Sequence, residues 1–126
     1  MAWQVRDVRA LAIVFALVGC KSSEPSVVEV TDRGWHAHEL VVAAGERAKS
    51  CADAGVAMQR AFTDNREAFV EAIKLDKDPD RLAEATAYLE AHQDRYADLE
   101  ARMEALAERC STDATVQAVF HHMETP

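Results

Sequence analysis

The chain has 126 residues, enough for one domain, with 49% hydrophobic and 29% charged residues, a balance that excludes a disordered tail and a multi-span membrane protein. Four Gly and three Pro are too few for the turn-dense layout of an all-β sandwich. Acidic residues outnumber basic ones 22 to 14, giving a net charge of −8 without a basic stripe, which excludes a grip on nucleic acid phosphates.

The first predicted element is the N-terminus. Arg6 and Arg9 precede an uncharged apolar run from Ala10 to Gly19. A helix of that length rises about 15 Å, half of a ~30 Å hydrocarbon core, so the run is predicted to be a secretory h-region and not a span. The alternative, a buried helix of the domain, leaves Leu11 to Val18 apolar on every face with no matching surround. Leu17-Val18-Gly19-Cys20 then follows. This stretch resembles the lipobox of bacterial lipoproteins, and the resemblance covers only residues 1–20. It implies a signal peptide over residues 1–19, a diacylglyceryl group on the Cys20 thiol, cleavage before Cys20, and a fatty acyl group such as palmitate on the freed amine. Lys21 stands where an Asp would resemble the inner-membrane retention signal, so the expected location is the cell envelope, at the outer membrane. Each buried CH₂ contributes about 0.8 kcal/mol, so two or three acyl chains hold the protein in effect permanently.

Residues 20–31 are predicted to be the lipidated Cys and a tether. Lys21 to Ser26 is polar with one Pro, and Val27 to Val30 reads as an extended lead-in without a partner strand. The remainder, 32–126, is predicted to be an all-α domain. Its first seam runs Ala37, Val41, Ala44, Ala48, Cys51, Gly55, Met58, Phe62, Asn65, Phe69 and Ala72, spaced four and three. A second seam runs Leu82, Ala85, Leu89, His92, Tyr96, Leu99, Met103, Leu106 and Cys110. Lys77-Asp78-Pro79-Asp80 is the turn between them, with Asp78 as cap and Pro79 at the first helical position. Two long helices so joined return antiparallel, and Ser111-Thr112-Asp113 caps a short third helix from Ala114 to about Met123. Gly45, Ser50 and Gly55 weaken the first helix, and a break there turns the hairpin into a small bundle.

Cys51 and Cys110 fall at similar heights on these facing helices. Export places them in an oxidising compartment, so a disulfide is expected, the alternative being two buried free thiols.

Catalytic signatures are missing: there is no Gly-x-Ser-x-Gly, phosphate-binding Gly-rich loop, His-Glu-x-x-His or Cys-x-x-Cys-His. An enzyme is therefore not expected, and neither is a cofactor. Glu67 and Glu71 share a face at i,i+4 but read as solvated, and Met58 and Met103 at heptad spacing read as core, not as haem ligands. His92 reads as a core histidine opposite Phe69. His36 and His38, with His121 and His122, form two terminal pairs that meet if the last helix runs back along the first. Such a meeting would offer imidazoles, with Glu39 or Glu124, to zinc, copper or nickel. Trp35, Tyr88 and Tyr96 are the candidates for a recognition surface, with Trp35 packed under the last helix or at the lipid headgroups. The leading expectation is a lipid-anchored binding or structural module with a protein partner; the alternative is a metal or cofactor carrier.

Overall fold

A computed structural model describes residues 24–126. The expected signal peptide, the lipidated Cys20 and the first tether residues lie outside the described residues. Those described form a helical bundle without a strand: α1 (Val27–Arg47), α2 (Cys51–Asp64), α3 (Arg66–Leu75), α4 (Pro79–Ala91), α5 (Gln93–Arg109) and α6 (Ala114–Glu124).

Four of the six helices start on a side-chain cap. Ser26 accepts a hydrogen bond from the Glu29 N–H at 3.1 Å, and Ser50 accepts one from Asp53 N–H at 3.1 Å. Asp78 accepts from Arg81 N–H, with Pro79 at the first helical turn, and Asp113 accepts from Val116 N–H at 2.9 Å. The expected turn at 77–80 and the last helix therefore stand. The extended lead-in does not. With Ser26 as cap, Val27 to Thr31 are the first residues of α1, and Val27 and Val30 are buried against Leu75 and Ala85. Burial of two branched side chains, each worth about 1.5–3 kcal/mol, outweighs their modest helix propensity.

The first seam is not one helix. Ala48 is extended and Ser50 starts a new helix, so the chain turns back on itself. Ala72 on α3 lies against Gly34, and Met58 on α2 against Gly45, so α2 and α3 run antiparallel to α1. A lesser interruption at Asn65 divides α2 from α3, and one at His92 divides α4 from α5. At each of them a side-chain nitrogen takes up the carbonyl four residues back: Asn65 Nδ2 donates to Ala61 at 2.8 Å, and His92 Nδ1 meets Tyr88 O at 2.9 Å.

Arginines set the direction of α5. Arg95 binds Asp32 and Glu39, Arg102 binds Glu46, and Arg109 donates to the Gly45 carbonyl. Numbers rise together on both helices, so α1 and α5 are parallel. Thr115 lies against Gly55 and the His122 ring against Phe62, so α6 runs parallel to α2. The directions are thus up for α1, down for α2 and α3, up for α4 and α5, and down for α6. This is the small-bundle arrangement expected from a broken first helix.

The main core gathers Val41, Val42, Met58, Phe69, Leu106, Val116 and Val119, all 2% exposed or less. Cys51 opens α2 and Cys110 ends α5, and the two are disulfide-bonded with Cα atoms 5.5 Å apart. The staple lies beside the turn from α1 to α2.

Candidate functional site

The predicted recognition residues do come together, at the end of the bundle away from the disulfide. Trp35 projects from α1 and is 5% exposed. Its ring meets Tyr88 at 5.7 Å, His92 at 6.1 Å and Tyr96 at 6.3 Å, centroid to centroid, so α4 and α5 wrap it. It packs neither under the last helix nor at a surface. The Arg95 guanidinium lies 4.7 Å above the indole, held there by Asp32 at 2.6 Å and Glu39 at 2.7 Å. Those two carboxylates hold the Arg95 guanidinium above its ordinary range, Glu39 first.

Beside this cluster a half-open groove of about 280 Å³ runs between α1, α3, α4 and α5. Leu82, Leu89, Leu99 and Met103 supply apolar walls, and the polar residues of the lining include His38, Tyr96 and Glu100. On the α4 side of the groove Ala85 is the one buried residue, Tyr88 and Leu89 pack partly against the core, and Leu82 stays 37% exposed.

Three polar groups are set by their surroundings. The Trp35 indole N–H is buried with no acceptor, a state that costs about 1–3 kcal/mol when nothing fills it. His38 places Nδ1 2.7 Å from the Gly34 carbonyl, so that nitrogen carries the proton and Nε2 keeps a lone pair. Burial holds the His38 imidazole below its ordinary value, against the opposing pull of the Gly34 bond. Burial, then the hydrogen bond and charge of Glu100, push the Tyr96 phenol up. No Lys or Arg lines the groove itself, and Asp76 and Glu100 are its acidic residues.

The histidine pairs are not gathered. The α6 helix docks on α2 through Val116, Val119 and Met123 and does not return along α1. Between His38 and His122 stand two phenylalanines: His38 meets Phe69 at 4.7 Å, Phe69 meets Phe62 at 5.1 Å, and Phe62 meets His122 at 5.9 Å. His36, His121 and His122 are exposed. Among the described residues no group of three or more His, Cys, Asp or Glu is placed to hold a metal ion. His92 is also displaced from its expected role: it is exposed at the break between α4 and α5, and Phe69 meets His38 instead. Met58 is fully buried under Gly45, and Glu71 pairs with Lys74 at 2.9 Å on the surface.

The residues that sequence reasoning passed over are the charges. Asp32, Glu39 and Glu46 recur every seven residues on α1, and Arg95, Arg102 and Arg109 do so on α5. A seven-residue repeat keeps each set on one helix face, and matched repeats of opposite sign were the signal that these helices pair. No family model, curated protein or solved structure matches this chain. Among the described residues no helix is long and apolar enough to cross a membrane.

Proposed function

We propose that this chain is a lipid-anchored module of the bacterial cell envelope that binds a partner and does not catalyse. The anchor is Cys20, acylated after removal of residues 1–19, with the outer membrane favoured by Lys21. The binding part rests on one observation: an apolar groove left open beside Trp35 and walled by Leu82, Leu89, Leu99 and Met103. Sites of this kind combine apolar walls with a few placed polar groups. The Cys51–Cys110 bond supports export, because disulfides persist in oxidising compartments. Export and anchoring are tested together by the intact mass of protein extracted from membranes. The expected species begins at Cys20 and carries the added mass of its acyl chains. A chain beginning at Met1, or an unmodified one beginning elsewhere, overturns the anchor. The binding part is tested by photo-crosslinking from Leu82 or Met103 in intact envelopes. Adducts formed there and lost on filling the groove are the expected result; adducts unaffected by filling it overturn the groove as the binding surface.

A further inference from the structure

The groove beside Trp35 carries enough chemistry to name what fits it. We propose that it takes one small, uncharged molecule: a compact apolar ring system bearing a single hydroxyl. This deepens the binding-module reading and rests on it.

Size comes first. About 280 Å³ lies at the lower end of the ~300–1,000 Å³ range of ligand pockets. That suits one or two fused rings. A partner helix, at about 10–12 Å across with its side chains, is too wide to enter such a groove whole.

Charge comes second. No Lys or Arg lines the groove, whereas Asp76 and Glu100 do. The nearest guanidinium, Arg95, already serves Asp32 and Glu39. A carboxylate or phosphate would enter a low-dielectric site with carboxylates at its edge and no cation to meet it. An ammonium would leave its own hydration for walls of leucine and methionine. A neutral solute meets neither cost.

Hydrogen bonding comes third. His38 Nε2 makes no hydrogen bond among the described residues and accepts one, since Nδ1 is committed to Gly34. A hydroxyl on the solute donates to that nitrogen.

The chain reports on itself. Its tryptophans are Trp3 and Trp35, so the form beginning at Cys20 fluoresces from Trp35 alone. The experiment uses the full mature protein in lipid nanodiscs, titrated with three probes of one shape: 1-adamantanol, 1-adamantanecarboxylate and 1-adamantanammonium. The expected result is a saturable one-to-one change in Trp35 emission with the alcohol, at least tenfold tighter than with either charged probe. His38→Phe keeps an aromatic ring and removes the acceptor. Followed by calorimetry, it should weaken the alcohol severalfold while the helical circular dichroism is retained. Leu89→Trp fills the groove and should abolish binding. A charged probe that binds as well as the alcohol overturns the ligand class while leaving the groove a site. No saturable signal from any probe overturns the groove itself, and does so without touching the mass-based test of the anchor. Alcohol binding that persists in Leu89→Trp places it elsewhere and overturns the proposal too.

Discussion

Around Cys51 and Cys110 the helices are pressed together through glycines, while around Trp35 they are held apart by aromatic rings and ion pairs. At the disulfide end, a Cβ on Gly45 would lie 2.7 Å from Leu106 Cδ2, and one on Gly55 would lie 2.8 Å from Thr115 Cβ. There the core is close-packed, with Met58, Val116 and Cys110 1% exposed or less. At the other end Trp35 spans the space between α1 and the α4–α5 pair, and the chain leaves a groove unfilled. One end of the bundle supplies stability, so the other is free to keep apolar surface open. That division should appear in how each region responds to damage.

The largest effect is expected from the staple. Cys51→Ser or Cys110→Ser frees a loop whose ends are 59 positions apart. In the chain-entropy model that costs about 4 kcal/mol, and at about 4–8 °C per kcal/mol the melting temperature should drop by more than 10 °C. Thermal denaturation with and without reductant checks this: reductant should shift the native protein and leave the variants unmoved.

Glycine substitutions sharpen the comparison. Gly55→Ala drives a methyl into the Cβ of Thr115, which sits on backbone and cannot swing away, so a loss of about 1–3 kcal/mol is expected, reduced by better helix propensity. Gly34→Ala, at the open end, meets only the Ala72 Cβ at 3.2 Å. There the propensity gain of about 0.5–1 kcal/mol should cancel the crowding or exceed it. Urea titrations of both variants decide between two unlike ends and a uniformly packed bundle.

Arg95→Ala should cost about 1 kcal/mol, combining partly exposed ion pairs with the loss of a cation over the indole. Its signature is a changed Trp35 emission together with an unchanged disulfide end, readable as unaltered exchange protection of α2 and α6.

The smallest effect is expected from His38 and depends on pH. Burial holds the folded imidazole below the ordinary value of 6.5, so the unfolded chain binds the proton first. Stability is therefore full above about pH 6.5 and declines as pH falls below it, until the folded imidazole protonates as well. His38→Gln should flatten that part of the acid limb, as compared by urea melts at pH 7.5 and 5.5. The same slope in both proteins would show that His38 contributes none of it.

Much of this architecture could be read from residue spacing. The seams, the Asp78-Pro79 turn and the Asp113 cap follow from local chemistry that acts over a few residues, and the pairing of Cys51 with Cys110 follows from their similar heights on either side of that turn. The fold-back at Ala48 to Ser50 was legible only as a weakness, because a seam continuing through Cys51 and Gly55 looks the same whether the helix is whole or broken. Val27 to Val30 misled because β-branched residues prefer strands until tertiary burial overrides them. Trp35, Tyr88 and Tyr96 were visible as a set, but the groove beside them was not. A cavity is the space between four helices, and no spacing within one helix encodes it.

The thin attachment of α4 has a consequence for proteolysis. With Ala85 as its single buried residue, this helix has the least to lose on opening, and local unfolding there exposes a cleavable stretch. Every cut within Pro79–Ala91 falls between Cys51 and Cys110. The two pieces then remain one covalent molecule as long as the bond is intact, with α1 to α3 still joined to α5 and α6. Such a nick should be invisible on a non-reducing gel and appear as two fragments once the bond is reduced, so the bridge preserves the molecule after its backbone has been severed.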